Sequence, residues 1–214
     1  MVFTGLANSF ASEIVSFAGN NAFLILVLGA FTSFILGMGM TITACYIFLA
    51  LVMAPALIKM GFDPLAVHLF VMYWGMASYI TPPVAMGAFA AATIADASPL
   101  KTGMQAMRLG VAKYFLPFFF VLNPALIFRG TWPDILQTFT TCLAGVCLIG
   151  AALEGYLLFV GRISLPTRVV IFVSGMLLGH PSTATDLYGL AVMTAGLMIW
   201  MITDRNKAVV QTEA

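Results

Sequence analysis

Charge is what this sequence most lacks. Only 8% of its 214 residues are Asp, Glu, Lys or Arg, whereas 62% are hydrophobic, and the mean hydropathy is +1.05. A soluble domain carries roughly 25% charged residues, because water must solvate its surface. Nine Lys or Arg and eight Asp or Glu cannot cover a globule of this size, which excludes a water-soluble fold. The net charge of +1 leaves no basic face for nucleic acid and no acidic tail. Cysteine is scarce too. Cys45, Cys142 and Cys147 lie in apolar runs without metal-ligand spacing and read as three buried small hydrophobes. No H-E-x-x-H, G-x-S-x-G or Walker A sequence occurs, which argues against a metalloprotease, an α/β-hydrolase and an ATP-driven motor, and neither an enzyme nor a cofactor is expected. The first residues lack a basic n-region, so no cleavable signal peptide is expected.

What is present are long apolar runs. No charged residue occurs between Glu13 and Lys59, between Asp63 and Asp96, or between Asp134 and Glu154. A spanning helix needs about 20 apolar residues, so each gap can hold a membrane element. The expected class is an all-α integral membrane protein, a polytopic helical bundle surrounded by lipid. Residues 1–19 read as an amphipathic connecting helix. Residues 22–58 form two apolar arms, each short for a full crossing, around Gly37, Gly39, Met40, Thr41 and Thr43. A re-entrant hairpin with its tip at 37–43 fits that pattern, because glycine leaves helical geometry cheaply and threonine hydroxyls can satisfy freed backbone groups.

A second interrupted segment covers residues 65–95, broken at Ser78-Tyr79-Ile80-Thr81-Pro82-Pro83. Paired prolines cannot continue a helix, and the carbonyls they free need partners other than lipid, so the break is expected to line a cavity. A basic amphipathic stretch with Lys101, Arg108 and Lys113 follows. Next comes a span at 114–128 kinked by Pro117 and Pro124, and then simpler elements at 135–160, 169–180 and 187–203. The division expected is a repeat over 1–130, then a transmembrane extension and cytoplasmic tail over 131–214. The positive-inside rule places Lys101, Arg108 and Lys113 in the cytoplasm and Lys59–Asp63 outside.

Unwound helices at mid-membrane can offer carbonyls to Na⁺ and half-helix ends to anions. The candidate ion ligands are the carbonyls near Gly37, Gly39 and Met40 and the hydroxyls of Thr41, Thr43, Ser78 and Thr81, with Pro82 and Pro83 marking the substrate-cavity break. The alternative is a pair of packing kinks. His68 reads as a proton relay or as a hydrogen-bonded structural histidine, and Gly175 with Gly179 as a helix-packing pair. Trp74, Trp132 and Trp200 read as interface anchors or core.

Several stretches carry a family likeness. Leu36-Gly37-Met38-Gly39-Met40, Thr43-Ala44-Cys45-Tyr46-Ile47, Ala54-Pro55-Ala56-Leu57, the run from Gly61 to Phe70, and Ile80-Thr81-Pro82-Pro83-Val84 resemble the large permease subunit of TRAP (tripartite ATP-independent periplasmic) transporters. Thr102-Gly103, Arg108-Leu109-Gly110 and Asn123-Pro124-Ala125-Leu126 resemble the fused permeases that work with TAXI-type binding proteins. The likeness covers roughly residues 1–130. It implies the ion-transporter superfold, with inverted repeats that each hold a hairpin and a discontinuous helix. It also implies import of an organic acid coupled to Na⁺ or H⁺, a solute delivered by a periplasmic TAXI-type binding protein, and a bacterial inner-membrane location. Where many such permeases carry proline, this chain has Thr41, which leaves the tip ligands open. One hairpin repeat is visible, so the remainder of the permease, its N-terminal repeat, is expected as a partner. A non-transporting membrane scaffold is the competing reading.

Overall fold

Asn21 starts the first helix of the computed structural model by accepting hydrogen bonds from Phe23 N and Leu24 N, both at 3.1 Å. The structure describes Ser9, Glu13, Ser16, Phe17 and Gly19, then residues 21–157, 161–180 and 182–203. The expected connecting helix at 1–19 and the tail after 203 lie largely or wholly outside the described residues. The chain divides into two compact units, residues 1–127 and 128–214.

In the first unit, α1 (Ala22–Gly37) shows how these helices are sided. Ile25, Leu26, Gly29, Ala30, Ser33 and Gly37 are buried, while Phe23, Val27, Phe31 and Ile35 form an exposed apolar stripe at every fourth position. Water would reject such a stripe and lipid solvates it. A turn at 38–41 leads to α2 (Ile42–Val52), which Thr41 begins by accepting from Ala44 N at 3.4 Å. α2 passes through Met53 into α3 (Ala54–Lys59), and Pro55 is tolerated because it sits in α3's first turn, where the helix needs no donor. The two arms run antiparallel. A Cβ placed on Gly29 would lie 3.5 Å from Met53 Sδ and 3.8 Å from Leu57 Cδ1.

The hairpin closes around α4 (Pro64–Ala77), which Asp63 caps by accepting from Ala66 N at 3.1 Å. Val67, Phe70 and Val71 of α4 are fully buried against Ile25, Leu26, Leu49, Met53 and Leu57. After the break come α5 (Met86–Ile94), the amphipathic α6 (Pro99–Leu109), α7 (Ala112–Leu122) with Pro117 inside it, and a 3₁₀ turn, Pro124–Ile127. α7 packs on α4 through Phe118 against Phe70 and Trp74.

The second unit holds α8 (Trp132–Glu154), α9 (Leu165–Gly179) and α10 (Thr183–Thr203). A two-residue ribbon, β1 (Tyr156–Leu157) with β2 (Gly161–Arg162), joins α8 to α9 and is the one strand pairing among the described residues. α8 and α9 cross at Gly145 and Gly175, where a Cβ on either would lie 2.7 Å from the other's carbonyl oxygen. Gly175 is thus a packing residue. All three helices start three or four residues before the apolar runs at 135, 169 and 187, because polar or proline residues such as Thr131, Ser164 and Pro166 suit a first turn.

Ile42–Lys59, Trp132–Glu154 and Ala184–Met201 are each long and apolar enough to cross a membrane, and Ala22–Gly37, Pro64–Ala77 and Leu165–Gly179 are shorter apolar helices. The protein is an all-α polytopic membrane bundle. One expectation needs correction: the second hairpin arm is not short, since α2 and α3 together give an 18-residue apolar stretch. Another is Cys147, which lies on an exposed helix face, whereas Cys45 and Cys142 are buried.

Candidate functional site: the hairpin tip and the broken helix

α1 and α4 meet most closely where the hairpin turns. A Cβ on Gly37 would collide with the Gly75 carbonyl, so the small residue lets the two backbones touch. Just beyond, the fully buried Ser78 donates from Oγ towards Gly37 O at 2.9 Å and Gly75 O at 3.0 Å. One hydroxyl thereby ties the tip to the break. Thr81 Oγ1 donates to Ala77 O at 2.7 Å and shares a hydrogen bond with the Tyr114 hydroxyl of α7 at 2.5 Å. Lys113, also on α7, places Nζ 2.9 Å from Met76 O.

The last carbonyls of α4 are therefore taken in succession. Gly75 O accepts from a serine, Met76 O from an ammonium and Ala77 O from a threonine. The loop that follows satisfies itself. Ala85 N donates to Ser78 O and Thr81 O, both at 3.1 Å, and Gly87 N donates to Tyr79 O at 3.0 Å. Closing the loop puts Ala85 in the left-handed region, with φ 36° and ψ 41°, and it contains a cis Pro82–Pro83 bond. Pro82 packs on α6, its Cγ 3.0 Å from where a Cβ on Gly103 would sit. The freed carbonyls of the break are thus met by its own N–H groups and by side-chain donors, a route the sequence reading did not anticipate.

Of the candidate ligands, Gly37 and Ser78 are joined by a hydrogen bond, and Thr81 lies in the same break, on the neighbouring carbonyl. The others make no such bond to the break among the described residues. Thr41 is spent capping α2, Thr43 and Gly39 are exposed, and Met40 packs on the core of the first unit. Pro82 is half-buried and Pro83 exposed. His68 Nδ1 lies 3.2 Å from the Tyr46 hydroxyl, a hydrogen bond between α4 and α2. Trp74 packs against Tyr114 and Phe118 as core, and Trp132 is exposed at the start of α8.

Gly75, Lys113 and Tyr114 escaped the sequence reading, which took Lys113 for an interfacial topogenic charge. Its place directly before an aromatic apolar run was the available signal. In the second unit, Asp186 is 9% exposed; Gln137 Nε2 donates to its Oδ2 at 3.3 Å, and its Oδ1 has no hydrogen-bond partner. No group of three or more His, Cys, Asp or Glu side chains able to hold a metal occurs among the described residues.

Comparison with known proteins gives one family. The model of the tripartite ATP-independent periplasmic transporter, DctM component, matches residues 1–135, which include the hairpin, the broken helix and α7. No curated protein and no solved structure matches the chain. The match spans well over half of the sequence, and the chain belongs to the DctM component family of tripartite ATP-independent periplasmic transporters.

Proposed function

We propose that this permease component couples Na⁺ entry to import of a carboxylate-bearing solute, and that the junction of hairpin tip and broken helix is where the ion acts. The observation that carries the reading is the buried Ser78 hydroxyl joining Gly37 O to Gly75 O. A hydroxyl that donates its proton to a carbonyl keeps lone pairs for a hard cation, and main-chain carbonyls of interrupted helices are the ligands such cations take. Gly37 O, Ser78 Oγ and Thr81 Oγ1 supply the oxygens. Thr41 and Thr43 belong to the ion's approach rather than to its first ligands. The solute arrives on a periplasmic binding protein of the TAXI type, the remainder of the permease completes the site, and the assembly sits in a bacterial inner membrane.

The test is solute uptake by the assembled transporter, measured against Na⁺ concentration, for wild type, S78A and T81A. A several-fold rise in half-saturating Na⁺ with little change in protein level is expected. Unchanged Na⁺ dependence in both variants would remove the junction from the mechanism. The scaffold reading also has structural support, because both hydroxyls are already hydrogen-bonded within the protein. It predicts no uptake dependent on this chain.

A further inference from the structure

Lys113 occupies the position that a coupling cation would be expected to seek. Its ammonium lies 2.9 Å from Met76 O, between the two carbonyls that accept from Ser78 and Thr81. Lysine carries three donors and no acceptor, so it cannot be a ligand for a cation and can only stand in for one. Aromatic rings join α4 and α7 beside it: Trp74 meets Tyr114 in a tilted pair with centroids 5.9 Å apart, and Phe118 lies edge-on to Trp74. Among the described residues no salt bridge joins Lys113 to an acid, and its ammonium donates to a main-chain carbonyl. Asp63, at the far end of α4, and Asp96, beyond α5, are the acidic residues of the described segment from 21 to 127. The negative end of a half-helix carries about half an elementary charge, and the Lys113 ammonium neutralises it.

We propose that Lys113 is a tethered cation that competes with the free coupling ion at the break and sets its affinity. This rests on the Na⁺ reading above. Ser78 and Thr81, the hydroxyl ligands proposed for Na⁺, bond the carbonyls on either side of Met76 O, so a bound Na⁺ and the Lys113 ammonium would sit near one helix end and repel each other in a medium of low dielectric. Na⁺ therefore binds weakly while Lys113 is seated on Met76 O, and tightly once the first turn of α7 withdraws it. Tyr114, the next residue, bonds Thr81, so displacing that turn also releases a candidate ligand hydroxyl. Lys113 is thus a positioning and affinity-setting residue that acts on the ion and not on the solute.

The test is equilibrium binding of radiolabelled Na⁺ to the purified, assembled permease, with no solute present. K113Q keeps an N–H donor for Met76 O but has no charge, K113M removes both, and K113R keeps the charge. The expected result is half-saturation at about tenfold lower Na⁺ in K113Q and K113M, with K113R close to wild type. A purely structural lysine gives the opposite, unchanged or weaker binding in the neutral variants, and that outcome overturns the proposal. Should K113M fail to fold, K113Q alone decides the direction. If wild type binds Na⁺ and the neutral variants bind no tighter, only the role of Lys113 falls. If neither wild type nor any variant binds Na⁺, the Na⁺ reading falls and takes this one with it.

Discussion

Gly37 and Gly75 touch through their backbones: the last residue of the first hairpin arm lies where any side chain would strike the Gly75 carbonyl. Three residues later Ser78 bonds both carbonyls, so close approach and hydrogen bond depend on each other. G37A is expected to force α1 away from α4 and cost about 1–3 kcal/mol, the usual range for overpacking. G39A, at a position with open space around it, should stay within about 0.5 kcal/mol of wild type. Thermal unfolding of the two purified variants checks the contrast, and equal losses would show that the close approach is unimportant.

Thr81 and Tyr114 form one unit. T81A takes from the Ala77 carbonyl its shorter hydrogen bond, leaving Ile80 N at 3.3 Å, and takes from the Tyr114 hydroxyl its bond to Thr81, whereas Y114F removes only the second bond. A loss of about 1–3 kcal/mol for T81A and about 1 kcal/mol for Y114F is expected. The double variant should lose less than the sum, and a double-mutant cycle of unfolding free energies measures that coupling.

Ala85 holds a left-handed conformation that L-residues adopt at a cost. A85G is expected to relieve strain of about 1 kcal/mol, less the entropy glycine adds to the unfolded chain. The melting temperature should stay level or rise. A clear fall would mean that the buried Ala85 methyl contributes more through packing than the strain costs.

In the second unit Arg168 caps the end of α8, with Nε donating to Ala152 O at 2.8 Å and Nη2 to Leu153 O at 2.5 Å. R168M is expected to cost about 1.5–3 kcal/mol because charged donors make the stronger bonds. R168K, with a single point of contact, should recover less than half of that. G155A should be as harmful as R168M, since Gly155 sits at φ 72° and its Cβ would lie 2.7 Å from the Arg168 guanidinium carbon. Limited proteolysis between α8 and α9 reports all three.

Much of this architecture was legible in the chain. Charge-free runs located the helices, whereas the capping roles of Asn21, Thr41 and Asp63 became visible only in the structure. The paired prolines located the break, and the stretch from Leu36 to Val84 carried the family likeness. The exposed apolar stripes also follow from local pattern, since every fourth residue of a helix returns to one face.

What sequence alone determined is the list of oxygens that could serve an ion. Which of them meet was decided only by tertiary structure. Gly37 and Ser78 are far apart along the chain and join because α1 and α4 approach closely at two glycines, a contact no local propensity encodes. Thr41 and Thr43 share the composition of a ligand, yet one caps a helix and the other is exposed. Lys113 read as an interfacial charge because hydropathy weighs a residue by its neighbours in sequence. Its ammonium instead reaches the end of α4, because the packing of α7 on that helix sets where a long side chain ends.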